Sequence, residues 1–162
     1  MPMSPYLKDL RLRMGHSLLL LPVVAAVIVN EAGQVLLQRR SDNLQWGIPG
    51  GIIEPGEPPA KAVVREVWEE TGLRVRPLKL LGVFGGSAAR FTYPNQDEVE
   101  PTIVIFQCAV VDGRLTMADG ESVALSWVEP ASIHTLSGFK DTSLLRLLKE
   151  PFAWDETWLF DL

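Results

Sequence analysis

Three glutamates that could bind metal, Glu66, Glu69 and Glu70, fall within five residues of a segment with helical character. On a helix that turns about 100° per residue, they share one arc of roughly 140° with Arg65. Like charges at this spacing repel, and the helix dipole disfavours them near the C-terminal end. A divalent cation would remove that repulsion, since carboxylate oxygens suit Mg²⁺ and Mn²⁺. Taken alone, this helix predicts a metal site and a solvated acidic face equally well.

The helix that carries these glutamates is expected to span residues 59–71. Pro58 and Pro59 suit a first helical turn, and Gly72 suits a left-handed stop. The side of the helix opposite the glutamates carries five apolar residues: Ala60, Val63, Val64, Val67 and Trp68. We expect the helix to pack this side on a sheet and to turn the three carboxylates outward together.

The segment from Gly51 to Leu73 reads GIIEPGEPPAKAVVREVWEETGL and resembles the Nudix box, G-x5-E-x7-R-E-U-x-E-E-x-G-U, at every specified position. The matched residues are Gly51, Glu57, Arg65, Glu66, Val67, Glu69, Glu70, Gly72 and Leu73. A complete match over so many positions is a specific signal. The preceding WGIPG and QRR segments are also similar to the family.

This resemblance implies an α/β fold, namely an α/β/α sandwich with a mixed sheet and a loop-helix-loop metal site. It also implies a Mg²⁺-dependent pyrophosphohydrolase, with Mn²⁺ as an alternative, that cleaves a diphosphate linkage in a nucleotide-like substrate. ADP-ribose, dinucleoside polyphosphates and modified nucleoside triphosphates all remain open as substrate classes. Metal ions would neutralise the phosphates, activate a water molecule and stabilise the leaving oxygen.

The resemblance implies roles for several box residues and for Gly50, which directly precedes the box. Glu66, Glu69 and Glu70 would bind or orient the cations, and Gly50 would offer its backbone carbonyl. Glu66 and Glu70 are both candidates for the general base. A second pair, Glu57 and Arg65, would brace the loop against the helix.

Candidate site residues also lie outside the box. Glu121 precedes the strand expected at 122–128. It could serve as a further metal ligand or as a base, or it could be an ordinary loop carboxylate. The same alternatives apply to Asp119. Arg39 and Arg40 follow the second predicted strand, where either one could donate to a substrate phosphate or remain solvated.

A long polar connection, residues 85–101, is more typical of a functional segment than of a plain linker. Its Arg90, Phe91 and Tyr93 are candidates for substrate binding, the aromatics by stacking on a base or a sugar. Alternatively, the aromatic rings simply pin the connection. His16 and His134 have no partner pattern and are interpreted as structural or surface residues.

The elements that must position these residues are predicted from periodicity and turn signals. Residues 23–29 and 34–38 are expected to form a hairpin around the turn 30–33, and residues 39–56 an irregular loop. Further strands are expected at 74–84, 102–111 and 122–128, with an amphipathic helix at 4–14 and a C-terminal helix at 142–149.

At 162 residues, the chain is long enough for one well-filled core and is expected to form a single domain, 1–162. Residues 1–21 would form an N-terminal extension used in packing or in a homodimer. The formal net charge of −5 argues against stable nucleic-acid binding.

The apolar run 18–29 follows basic residues, but Asp9 and Pro22 interrupt the pattern of a signal peptide, and the run is too short to span a bilayer. With Cys108 as its only cysteine, the chain is expected in the reducing cytoplasm and away from membranes. Cys108 is predicted to be a small buried hydrophobic residue in a strand.

Two other function classes differ in what they require. A nucleotide sensor without turnover would typically have lost box carboxylates, whereas all of them are present here. An isomerase of isoprenoid diphosphates would need a catalytic cysteine in a loop, and Cys108 is expected mid-strand. Hydrolysis is therefore the leading interpretation.

Overall fold

The computed structural model describes residues 4–117 and 120–139. The helices are α1 (Pro5–Met14) and α2 (Pro59–Thr71), and 3₁₀ turns lie at Ser87–Ala89 and Pro130–Thr135. The strands are β1 (Leu19–Ile28), β2 (Val35–Arg40), β3 (Trp46–Gly47), β4 (Gly50–Ile52), β5 (Leu73–Phe84), β6 (Phe91–Thr92), β7 (Glu98–Gly113) and β8 (Ser122–Val128). The helix predicted at 142–149 and the candidate Asp119 lie outside the described residues.

The predicted mixed sheet is confirmed in the described part of the chain. Strands β4, β1, β7 and β5 lie side by side in that order, with β6 paired to β7. Strand β1 runs parallel to β7, from Leu19 opposite Val99 to Ile28 opposite Cys108. Strands β4 and β5 are antiparallel to their neighbours. A second, antiparallel sheet has the order β3-β2-β8.

The predicted hairpin between residues 23–29 and 34–38 is wrong, because β1 and β2 belong to different sheets and share only the isolated bridge between Val29 and Val35. The turn itself forms, since Asn30 Oδ1 accepts hydrogen bonds from the amides of Ala32 and Gln34. However, β1 is buried on both faces from Val24 onward. Such a strand is typical of the middle of a sheet, where it pairs with distant strands.

Alternate residues of β1 contribute to separate cores on the two faces of the sheet. Val24, Ala26 and Ile28 pack towards α2, whereas Ala25 and Val27 pack in a cluster with Ile133 and Phe139. The predicted irregular loop 39–56 also contains two short strands, β3 and β4. These strands hold the loop against both sheets.

Helix α2 has the predicted bounds and ends at Gly72, which adopts the left-handed φ of 70°. Its orientation differs from the prediction. Ala62, Val63 and Val67 are buried, but Trp68 is 45% exposed and stacks against the Arg74 guanidinium. The predicted outward face is also partly wrong, because Glu66 and Glu70 are buried beneath the loop that contains β4.

Helix α1, predicted at residues 4–14, forms at Pro5–Met14 and packs on one end of the larger sheet. Its Leu7 and Leu10 contact a cluster built on Leu19, Leu21 and Val99. Strand β1 begins at Leu19, which lies inside the segment 1–21 that the sequence predicts to be an N-terminal extension. Among the described helices, none is both long and apolar enough to cross a membrane.

Candidate functional site

The Arg65 guanidinium ties α2 to the loop before it. It donates to both carboxylate oxygens of Glu57, at 2.9 and 2.8 Å, and to the Ile52 carbonyl at 3.0 Å. It also contacts Glu66 at 2.7 Å and Glu69 at 3.1 Å. The hydrogen bonds to Glu57 raise the pKa of Arg65 and lower that of Glu57. Both groups of this pair are therefore charged at neutral pH.

Glu66 lies directly against the backbone of Gly51. A Cβ atom added at Gly51 would come within 2.6 Å of Glu66 Oε1, so the box glycine leaves the space that this carboxylate occupies. Burial raises the pKa of Glu66, although the hydrogen bond from Arg65 opposes the shift. Its negative charge is thus poorly solvated, which is the condition that a nearby cation relieves.

Glu70 is held at both carboxylate oxygens. Oε1 accepts from the Gln38 side-chain amide at 2.9 Å, and Oε2 accepts from the Gly50 backbone amide at 2.7 Å. Gln38 is itself buried, and its carbonyl oxygen accepts from the Ser122 hydroxyl at 2.7 Å. These contacts fix both the position and the rotation of the Glu70 carboxylate.

Gln38 and Ser122 were missed as site residues in the sequence. The available signal was a polar residue at the end of the buried run VLL of β2, because a buried amide needs partners for its donors and its acceptor. Sequence periodicity does not indicate which residues supply those partners.

The carboxylate oxygens of Glu66, Glu69 and Glu70 are the type of donor that binds a cation such as Mg²⁺. Within the described residues, however, no three or more His, Cys, Asp or Glu side chains are arranged so that they could hold an ion together. Arg65 occupies oxygens of Glu66 and Glu69, and Gln38 and Gly50 occupy those of Glu70. Mg²⁺ is commonly held by one or two carboxylates together with water and substrate phosphates. A poorly solvated carboxylate on a cavity wall meets that requirement.

A cavity of about 490 Å³ lies next to these residues, within the range of small-molecule sites. It brings together the candidates Glu66, Glu121, Gly50, Arg40 and Tyr93 from separate parts of the chain. Further lining residues not predicted as a set include Ser4, Leu7, Arg11, Asp42, Glu54 and Asp97.

The two neighbouring arginines differ in position, and the pairing of β2 with β8 changes register between them. Arg40 lines the cavity and donates to Asp42 at 2.9 and 2.7 Å, which raises its pKa and lowers that of Asp42. Arg39 instead donates to the Leu44 carbonyl at 3.0 Å and is not among the cavity-lining residues.

Of the candidates in the long connection, Tyr93 alone lines the cavity. Burial raises its pKa, so its hydroxyl stays protonated at neutral pH. Phe91 is exposed and packs edge-on against Tyr93, with 4.8 Å between ring centroids. Arg90 pairs with Glu100 at 2.8 Å, outside the cavity lining.

The remaining titratable residues singled out in the sequence lie as follows. His134 is exposed on a 3₁₀ turn, and His16 contacts Asp97 at 2.7 Å. Cys108 is buried in the core beneath α2, and burial raises the pKa of its thiol to about 12. A thiol in that environment is a poor nucleophile, which disfavours a cysteine-dependent isomerase.

Known proteins resemble this chain in both sequence and structure. A MutT-like protein from Streptomyces ambofaciens is 37% identical over 110 residues, covering 68% of this chain and 64% of that protein. An RNA pyrophosphohydrolase from Pectobacterium atrosepticum is 45% identical over 60 residues, covering 37% of this chain and 34% of that protein. These matches thus span less than two thirds of either relative.

The fold is similar to the crystal structure of the MutT protein from Methanosarcina mazei Go1, with a TM-score of 0.62 and 31% identity. That alignment covers 82% of this chain and 92% of the other. The NUDIX domain, as a family, matches residues 19–148 of this chain. Because this match includes most of the sequence and both sheets, the protein belongs to the NUDIX family.

Proposed function

We propose that this protein is a Mg²⁺-dependent hydrolase that cleaves a diphosphate linkage in nucleoside diphosphate derivatives, with Mn²⁺ as an alternative cofactor. The observation that carries the proposal is the placement of Glu66. Its poorly solvated carboxylate lies on the wall of a nucleotide-sized cavity that also contains Glu121 and the cationic Arg40. The name of the Pectobacterium relative, RNA pyrophosphohydrolase, is consistent with this class of reaction.

Cation binding would involve Glu66, Glu69, Glu70 and Glu121, with the Gly50 carbonyl as a further oxygen ligand. When bound, the cation would neutralise the phosphates and lower the pKa of a water molecule. Arg65 and Glu57 would act as positioning residues, since their ion pair joins the loop to the helix that carries the ligands.

The general base is either Glu66 or Glu70. Glu66 lines the cavity, and Glu70 is held rigidly at both oxygens. Arg40 would donate to a substrate phosphate from the same cavity, while Asp42 holds its guanidinium in place. Arg39 donates to the Leu44 carbonyl, Arg90 pairs with Glu100, and Phe91 packs on Tyr93. These contacts favour structural roles for the three side chains.

The substrate classes remain ADP-ribose, dinucleoside polyphosphates and modified nucleoside triphosphates. We further propose a cytoplasmic protein without stable nucleic-acid binding, in keeping with one buried free cysteine and a net charge of −5. A homodimer would use the N-terminal extension, where Tyr6 and Met14 are exposed.

The test is turnover of a panel of nucleoside diphosphate derivatives by the purified full chain in Mg²⁺, with products separated by chromatography. Glu70→Gln should lower kcat by about 10²-fold or more while circular dichroism shows a retained fold. Glu31→Gln, which changes an exposed carboxylate in the turn after β1, is the matched control and should leave turnover unchanged.

Two results would contradict the proposal. One is a wild-type protein that binds nucleotides but cleaves no member of the panel, as a sensor would. The other is a Glu70→Gln variant with wild-type kcat, because the proposed chemistry depends on that carboxylate.

A further inference from the structure

One wall of the cavity comes from α1, which precedes the NUDIX match at residues 19–148. Ser4, Leu7 and Arg11 of this N-terminal segment line the same cavity as Glu66 and Arg40. The topology explains their presence. Because β1 and β7 are parallel, the segments that precede the two strands lie at the same end of the sheet, where both strands begin.

Next to α1, the cavity lining includes an apolar group of residues. Leu7, Ile52 and Tyr93 pack against one hydrophobic cluster that contains Leu21 and Val99. Each of these five residues also lines the cavity. We call these five residues the N-terminal wall. The acidic residues and Arg40 lie in the same cavity, so a bound molecule can contact both environments at once.

Arg11 fastens α1 in this position. Its guanidinium donates to the carbonyls of Gly15 at 3.1 Å, Ser17 at 2.8 Å and Glu98 at 2.9 Å. Its Nε also lies 3.4 Å from the buried Asp97 carboxylate. These contacts use most of the Arg11 donors within the protein, so this side chain holds the helix in place.

We propose that the N-terminal wall binds the nucleobase of the substrate, with Leu7 of α1 contacting the base and Tyr93 stacking on it. A nucleobase is planar and mostly apolar on its faces, which matches an aliphatic and aromatic wall. The diphosphate then extends towards Glu66 and Arg40. This inference rests on the proposed function for its substrate class and makes α1 a determinant of base affinity.

The experiment measures binding of nucleoside monophosphates to the full-length protein by calorimetry in buffer that contains Mg²⁺. Leu7→Ala should weaken binding by about tenfold, the scale of removing apolar contacts in a pocket. With a nucleotide substrate that the wild type cleaves, KM should rise by a similar factor while kcat stays unchanged. Mg²⁺-dependent binding of inorganic pyrophosphate, which has no base, should be unaffected.

Two leucines of the same helix provide matched controls. Leu10 packs in the same cluster but does not line the cavity, so Leu10→Ala loosens the helix without removing a ligand contact. Leu12 is 86% exposed, and Leu12→Ala leaves both the helix packing and the cavity intact. Both variants should bind nucleoside monophosphates within about twofold of wild type, because neither side chain faces the ligand.

The possible outcomes separate this inference from the proposed function. Weakened monophosphate binding in Leu7→Ala alone supports the inference, even if no substrate is cleaved. Equal losses in Leu7→Ala and Leu10→Ala overturn it, as does wild-type affinity in Leu7→Ala or equal weakening of pyrophosphate binding. A wild-type protein that cleaves nucleotides while Leu7→Ala keeps its KM also overturns the inference but leaves the hydrolase proposal standing.

Discussion

The Arg65 side chain joins more of the site than any single carboxylate does. Its planar guanidinium pairs with both oxygens of Glu57, and it still reaches the Ile52 carbonyl, Glu66 and Glu69. Arginine alone among side chains offers five donors in a fixed fork. A lysine here would keep the charge but lose the paired geometry that orients the loop.

The Glu57 carboxylate should make folding stability depend on acid pH. Its hydrogen bond with Arg65 holds its folded pKa below the ordinary value of 4.5. The stability it contributes is therefore fully present above that value and is lost as pH falls through the lower folded pKa. Glu57→Gln should lower the unfolding free energy by no more than about 1 kcal/mol at pH 7, since the pair is partly solvated.

Urea unfolding of both proteins between pH 3 and pH 7 would check this prediction, and the difference between them should shrink below about pH 4.5. Glu31→Gln serves as the exposed control. A Glu57→Gln deficit that stays constant across the range, or grows in acid, would show that the ion pair does not contribute as described.

Single side chains show where sequence reasoning succeeds and where it stops. The pairing of Glu57 with Arg65 follows from the box resemblance and from opposite charges at a spacing that loop and helix can bridge. The Gln38–Glu70–Ser122 network does not, because its members come from β2, α2 and β8. Contacts of this kind depend on the tertiary arrangement, which periodicity within one segment does not contain.

Close packing between α2 and the loop at β4 depends on a glycine. Gly51→Ala would place a methyl group against the Glu66 carboxylate. Overpacking of this kind costs about 1–3 kcal/mol of stability. Because displacement of a site group by about 1 Å can cost 10²-fold in rate, we expect turnover to fall by about that factor.

Gly47→Ala is the matched control, because a Cβ atom at Gly47 would meet nothing within 4 Å. Thermal unfolding and kcat should be measured for both variants. If Gly51→Ala kept the wild-type kcat, the position of Glu66 against the loop would be irrelevant to the reaction.

The sequence predicts the bounds of the helix α2 better than it predicts which strands pair, and the reason is physical. Helix α2 has strong local signals, Pro59 at its start and Gly72 at its end, and its bounds match the prediction. Strand partners have no such local signal. The turn at Asn30 suggested a hairpin, but the burial of β1 on both faces favours β4 and β7 as its neighbours.

Across the molecule, the cavity is assembled from segments far apart in the sequence, including α1, the end of β2, the β4 loop and Tyr93. The sequence named Glu66, Arg40 and Tyr93 as separate candidates, but it could not indicate that α1 closes the same space. That closure follows from the parallel β1–β7 register, a long-range feature. The net charge of −5 and the cavity carboxylates together disfavour an anionic ligand unless cations accompany it.

Divalent cations should therefore stabilise the whole fold. A ligand that binds only the native state at 100 times its Kd adds about 2.7 kcal/mol. For a chain of this length, that free energy corresponds to a rise in Tm of about 5–10 °C. We expect MgCl₂ to raise Tm relative to NaCl at equal ionic strength, and Glu70→Gln to lose most of the increase while Glu31→Gln keeps it. Equal shifts in the two salts would indicate general screening of a net negative charge and would exclude a cation site at these glutamates. A full shift in Glu70→Gln would show that Glu70 does not hold the cation.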